Sequence, residues 1–138
     1  MRTRAGVAAA ALVIVAAAGV PAPAAVNVIV SGVPGPTTGY VPPLVIVAQG
    51  APVTFVNPDA VAPGGHDVVA TSGSRPKSSA HWCSRPQFAD APCPLFWSEI
   101  IGPGESTPVL GFEDAVSGQT YGFRCTLHAG MVGQVLVA

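Results

Sequence analysis

In Tyr121-Gly-Phe-Arg-Cys125-Thr-Leu-His128-Ala-Gly-Met131-Val-Gly-Gln-Val-Leu-Val137, two extended runs flank a short loop. Tyr121, Phe123 and Cys125 alternate with Gly122 and Arg124. Successive strand side chains point to opposite faces, so the thiol shares the inward face with two aromatic rings at the strand's end. The alternation stops at Cys125 and a strand resumes at Val132. His128 follows Cys125 after a two-residue gap, and Met131 follows His128 after another. One tight loop thus presents a thiol, an imidazole and a thioether.

The same texture of short strands and turns extends upstream. Prolines and glycines interrupt the chain every few residues from Val33 onward, and no segment sustains an apolar rhythm at i, i+3, i+4, i+7. Runs rich in Val, Ile, Phe and Tyr lie between these breakers, at 26–30, 44–48, 53–57, 66–70, 108–112, 120–125 and 132–137. Each is predicted as a strand. Seven or eight short antiparallel strands predict an all-β fold, a Greek-key two-sheet β-sandwich.

One stretch departs from that texture. Thr71 to Ser98 contains Ser-Gly-Ser-Arg-Pro-Lys-Ser-Ser, then Trp82 and Trp97 around Cys83 and Cys93. Loops this long are unusual unless functional or braced. A Cys83–Cys93 disulfide is the predicted brace, with the two tryptophans packing the loop on the sandwich. Arg75, Lys77 and Arg85 read as a solvated basic cluster.

Export is what makes such a bridge feasible. Residues 1–24 read as a signal peptide, with Arg2 and Arg4, an apolar run from Val7 to Val20, and small residues Ala22 and Ala24 suiting cleavage before Ala25. The apolar run falls short of the roughly 20 residues that span a bilayer. Residues 25–138 then form one secreted or periplasmic domain with no membrane insertion after cleavage. That domain has four basic side chains against seven acidic ones, a balance that does not suggest nucleic-acid binding.

If Cys83 and Cys93 pair, Cys125 is left alone, and an unpaired exported cysteine is prone to oxidation and cross-linking. Its neighbours explain it. Thiolate favours Cu(I), imidazole serves both copper states, and a distant thioether adds a weak axial contact. Zinc would be expected to recruit further Cys, His or carboxylate donors, and Glu113, Asp114 and Arg124 lie outside the loop. Met131 is the only methionine once Met1 leaves with the signal. The second imidazole comes from His66 or His81. His66 opens a strand after the turn Ala62-Pro63-Gly64-Gly65, whereas His81 lies in the Ser-rich excursion, so His66 is the candidate. The predicted metal site is His66, Cys125, His128 and Met131 around one copper ion.

These stretches resemble the cupredoxins, the plastocyanin, pseudoazurin and amicyanin group of small blue-copper proteins. Val53-Thr-Phe-Val-Asn57, followed by Pro58-Asp59, resembles the family strand before the first ligand, Gly65-His66-Asp67-Val68-Val69 its histidine strand, and Tyr121 to Val137 its ligand loop. The two-residue gap between His128 and Met131 is similar to that of amicyanin. The resemblance implies a trigonal set of His66, Cys125 and His128 with Met131 as the long axial bond. It also implies an edge of His128 at the surface among apolar residues such as Ala129, Gly130, Val132 and Pro63. Where plastocyanin has an Asn after its first histidine, this chain has Asp67. The resemblance therefore leaves open a side-chain tie from that position to Thr126.

The function that follows is a soluble exported electron carrier cycling between Cu(I) and Cu(II), a monomer that docks transiently on redox partner proteins. Three histidines are too few for the extra copper sites of an oxidase or nitrite reductase, so no enzyme is predicted. Extracytoplasmic copper binding or delivery is the alternative. A single methionine argues against it, because delivery proteins usually offer several Met or His clusters.

Overall fold

The computed structural model describes residues 26–32, 39–58 and 64–138. The predicted signal peptide and Pro63 lie outside the described residues. Among the described residues nine short strands form: β1 (Val28–Val30), β2 (Leu44–Val47), β3 (Val53–Val56), β4 (Val69–Ala70), β5 (Ser74–Arg75), β6 (Cys93–Pro94), β7 (Ser106–Val109), β8 (Thr120–Arg124) and β9 (Val132–Val137). Among the described residues helix is confined to four single 3-10 turns, in keeping with the proline and glycine content.

The strands build two sheets, ordered β1-β3-β7 and β2-β9-β8-β4, with β5-β6 as a separate ribbon. This is the predicted sandwich, with one correction to strand direction. β1 pairs parallel with β3, and β2 parallel with β9. β1 and β3 are separated in sequence by β2, which lies in the opposite sheet, so the chain returns to the first sheet running in its original direction.

Alternation fills the space between the sheets. Val53 and Phe55 of β3, Phe123 of β8, and Val135 and Val137 of β9 point inward, while Thr54, Arg124, Val132 and Gln134 face out. Phe55, Phe96 and Phe123 are the largest fully buried side chains. Phe123 lies across Gly133 of its paired strand, at a distance where any β-carbon would collide with the ring. A strand glycine here is a packing requirement.

The excursion is a folded layer with its own small core of Val69, Trp82, Cys83, Phe88, Cys93 and Trp97. The Cys83–Cys93 disulfide is present. Trp82 and Trp97 stack with ring centroids 5.7 Å apart. Arg75 lies over Trp82 and Arg85 over Trp97, at 5.2 and 4.7 Å, so four side chains form an Arg-Trp-Trp-Arg ladder. This corrects the solvated reading of the basic cluster. Arg75 is 8% exposed, bonded to Gly111 O and paired with Asp114 at 2.5 Å, and Arg85 pairs with Glu99. Only Lys77 of the three is exposed in the way expected, and it donates to Ala89 O. The excursion docks on the edge of the second sheet, where Trp97 bridges Val69, and Ser98 bonds both ways with Val68.

Candidate metal centre

Two segments meet at one end of the sandwich. The first is the turn that leads into β4. His66 is an isolated bridge to Ile101 and not part of β4, exchanging both backbone bonds with it at 3.0 and 2.9 Å. Asn57, fully buried just after β3, holds Ile101 of that bridge and Gly64, two residues before His66. Its carbonyl oxygen accepts from Ser31 Oγ at 2.9 Å, and its Nδ2 donates to Gly64 O at 2.5 Å and Ile101 O at 3.2 Å. A buried amide satisfied on both sides fixes the approach to His66.

The second segment is the loop from Cys125 to Met131. Cys125 N donates to Met131 O at 3.0 Å, and Met131 N donates to His128 O at 3.2 Å, so the loop is closed by its own backbone. Gly130 makes the turn at φ +83°, a region that side chains with a β-carbon avoid. The burial pattern places Cys125 and Met131 inward, leaves His128 half-buried, and exposes Thr126, Leu127, Ala129 and Gly130.

The two segments bring three predicted donors together. Cys125 Sγ lies 3.5 Å from His128 Nδ1 and 3.9 Å from His66 Nδ1. One ligand atom from each of the three residues lies within 4.8 Å of the others. An ion with bonds of about 2.0–2.1 Å to nitrogen and about 2.3 Å to sulfur, in trigonal or tetrahedral arrangement, needs N···S separations of about 3.6–3.8 Å. The observed pair brackets that range, so the three side chains are close enough together to fit a metal ion. Met131 is fully buried in the same core cluster as Cys125. His81 is exposed on the excursion, outside the cluster.

Burial pushes the Cys125 thiol up from its ordinary range, and the backbone N–H groups of Asp67 and Leu127 oppose this by hydrogen-bonding its sulfur. Without a cation the site favours the thiol, and a bound metal supplies the charge that favours thiolate. Tyr40 is also pushed up, first by burial and then by the nearby Cys125 and Asp67, so its hydroxyl stays a donor. It donates to Asp67 O at 2.5 Å.

The tie that the sequence left open is made. Asp67 Oδ1 accepts from Thr126 N at 2.7 Å, and Oδ2 accepts from Thr126 Oγ1 at 2.6 Å. Asn57 and Tyr40 are supports that sequence reasoning passed over. Asn57 left a trace, as a polar residue ending an apolar strand, whereas Tyr40 lies outside every predicted strand and left none.

The family profile described as copper binding proteins, plastocyanin/azurin family, matches residues 28–138. The chain belongs to this family. Its cofactor is copper, which the thiol, imidazole and thioether donor set suits. Among solved structures, this cupredoxin is similar to auracyanin from Roseiflexus castenholzii, with 24% identity over 83% of this chain and 99% of the other, at a TM-score of 0.54. The purple cupredoxin from Nitrosopumilus maritimus gives 21% identity over 80% and 98%, at 0.52. A reduced amicyanin with a tryptophan-to-tyrosine substitution gives 20% identity over 83% and 82%, at 0.50. These likenesses support the cupredoxin fold. No curated protein matches the chain.

Proposed function

We propose that this cupredoxin is an exported electron carrier in which His66 and His128 through Nδ1, Cys125 through Sγ and Met131 through its thioether hold one copper ion. The observation that carries the reading is the convergence of two imidazole nitrogens on one buried thiol. Copper so held supplies a one-electron couple between Cu(I) and Cu(II).

The chain's part is to keep the donors still and one edge open. The His66–Ile101 bridge, the Asn57 amide and the Cys125–Met131 backbone bond brace the donors from two elements and a closed loop. Small movement between redox states is what such bracing favours. His128, half-buried, sits among exposed Leu127, Ala129 and Gly130. A β-carbon on Gly65 would lie 3.3 Å from both Ile100 Cγ2 and Leu127 Cδ1, so two exposed apolar side chains converge beside the His66 turn. This patch suits a small, short-lived interface with a redox partner protein.

Carrier is favoured over enzyme because, among the described residues, the His66, Cys125 and His128 group is the metal-binding cluster that forms. Export rests on the N-terminal sequence and agrees with the disulfide. Cyclic voltammetry of the copper-loaded protein beside a Cu(I) chelator tests the carrier reading. Repeated one-electron cycling with copper retained supports it. Loss of the ion on each reduction supports delivery instead.

A further inference from the structure

The strongest feature that the ligand set leaves unused is the Asp67 carboxylate. Asp67 is 2% exposed and follows His66 directly. Its carbonyl accepts from Tyr40, and its two carboxylate oxygens each take one donor from Thr126, the residue after Cys125. One residue therefore touches the chain on both sides of the site.

An amide or hydroxyl would suffice to tie the two segments together. A carboxylate adds a charge, and Asp67 has no cationic side chain among its hydrogen-bond partners. Coulomb interactions are weakly screened in a water-poor interior, and a fixed negative charge makes adding an electron nearby less favourable. An electron taken up by a copper ion held at His66, Cys125 and His128 would enter beside this carboxylate.

We propose that Asp67 is a positioning residue that acts in two ways, its tie to Thr126 orienting the ligand loop and its negative charge stabilising the oxidised centre, which lowers the reduction potential. The inference rests on the copper-ligand reading above. The tie and the charge are separable. Asn in place of Asp can keep both contacts, its Oδ1 accepting from the Thr126 N–H and its Nδ2 donating to Thr126 Oγ1, while removing the charge.

The test compares wild type, Asp67→Asn, Asp67→Ser and Asp67→Ala at one pH, by redox titration, visible absorption and urea unfolding of the apo-proteins. In Asp67→Asn the visible band and apo stability should stay close to wild type. At a fixed poise, its ratio of reduced to oxidised protein should rise about tenfold, equivalent to about 59 mV for a one-electron couple. Asp67→Ser, equally uncharged and smaller, should shift in the same direction, and it reports the charge effect if Asp67→Asn does not fold. Asp67→Ala should also lose apo stability and broaden or displace the band, because Thr126 is released. An unchanged or lower potential in the neutral variants overturns the charge role, and wild-type apo stability and band in Asp67→Ala overturn the tie. A wild-type protein with no thiolate-to-copper band overturns the ligand reading and this inference with it. A normal wild-type band with no shift in the variants overturns the inference alone.

Discussion

His66 shows how much one side chain's placement owes to residues that never touch the metal. Its backbone bridge to Ile101 is held by Asn57, whose amide also fixes Gly64. Asn57→Ala removes a fully buried amide and leaves the Ser31 hydroxyl and two carbonyls without it. The loss should cost about 1–3 kcal/mol per group left unsatisfied, read by urea unfolding. Copper affinity should fall as well, measured by competition with a chelator. Met131→Gln offers an axial oxygen in place of the thioether. Colour should persist and the potential should shift, since the axial donor helps to set it. The three groups that the fold brings together, His66, Cys125 and His128, were legible residue by residue, because a lone thiol and a few histidines are countable in the sequence. Asp67's tie was not, because it depends on two loops 59 residues apart being brought within hydrogen-bonding distance.

At the scale of elements, the excursion is the part of the molecule least like a plain sandwich. Its disulfide closes a loop of sequence separation 10 and sits in a core cluster separate from the one that contains Cys125 and Met131. Replacing Cys83 and Cys93 together by Ser should cost about 3 kcal/mol on loop-entropy grounds. The Trp82–Trp97 pair reports it through near-ultraviolet circular dichroism, while the copper band should be retained. Collapse of the band in that variant would mean that the excursion supports the ligands directly. Strands at 44–48, 53–57, 120–125 and 132–137 were predicted to within a residue because each is a β-prone apolar run bounded by turn-forming residues. The strand predicted over 66–70 shrank to Val69–Ala70, since His66 pairs with Ile101 and not with the sheet that continues through β4. Strand direction was hidden for a related reason. Period-2 patterning tells which face a residue occupies but not which sheet the chain crosses to next.

For the whole molecule, fold and metal site are coupled. The proposed ligands come from the turn before β4 and from the β8–β9 loop, so an ion bound there would join segments far apart in sequence. Copper at 100 times its dissociation constant should raise unfolding free energy by about 2.7 kcal/mol, seen as a higher midpoint in thermal scans. The same scan on Cys125→Ser should show a much smaller rise. Export predicts a mature N-terminus near Ala25, which N-terminal sequencing of the processed protein checks. The most direct test of a copper–thiolate site in this chain is the titration of apo-protein with Cu(II), followed by visible absorption. One equivalent should produce an intense thiolate-to-copper band that saturates, and Cys125→Ser should stay colourless under the same conditions. A colourless adduct of the wild-type protein, or a full-strength band in Cys125→Ser, would contradict it.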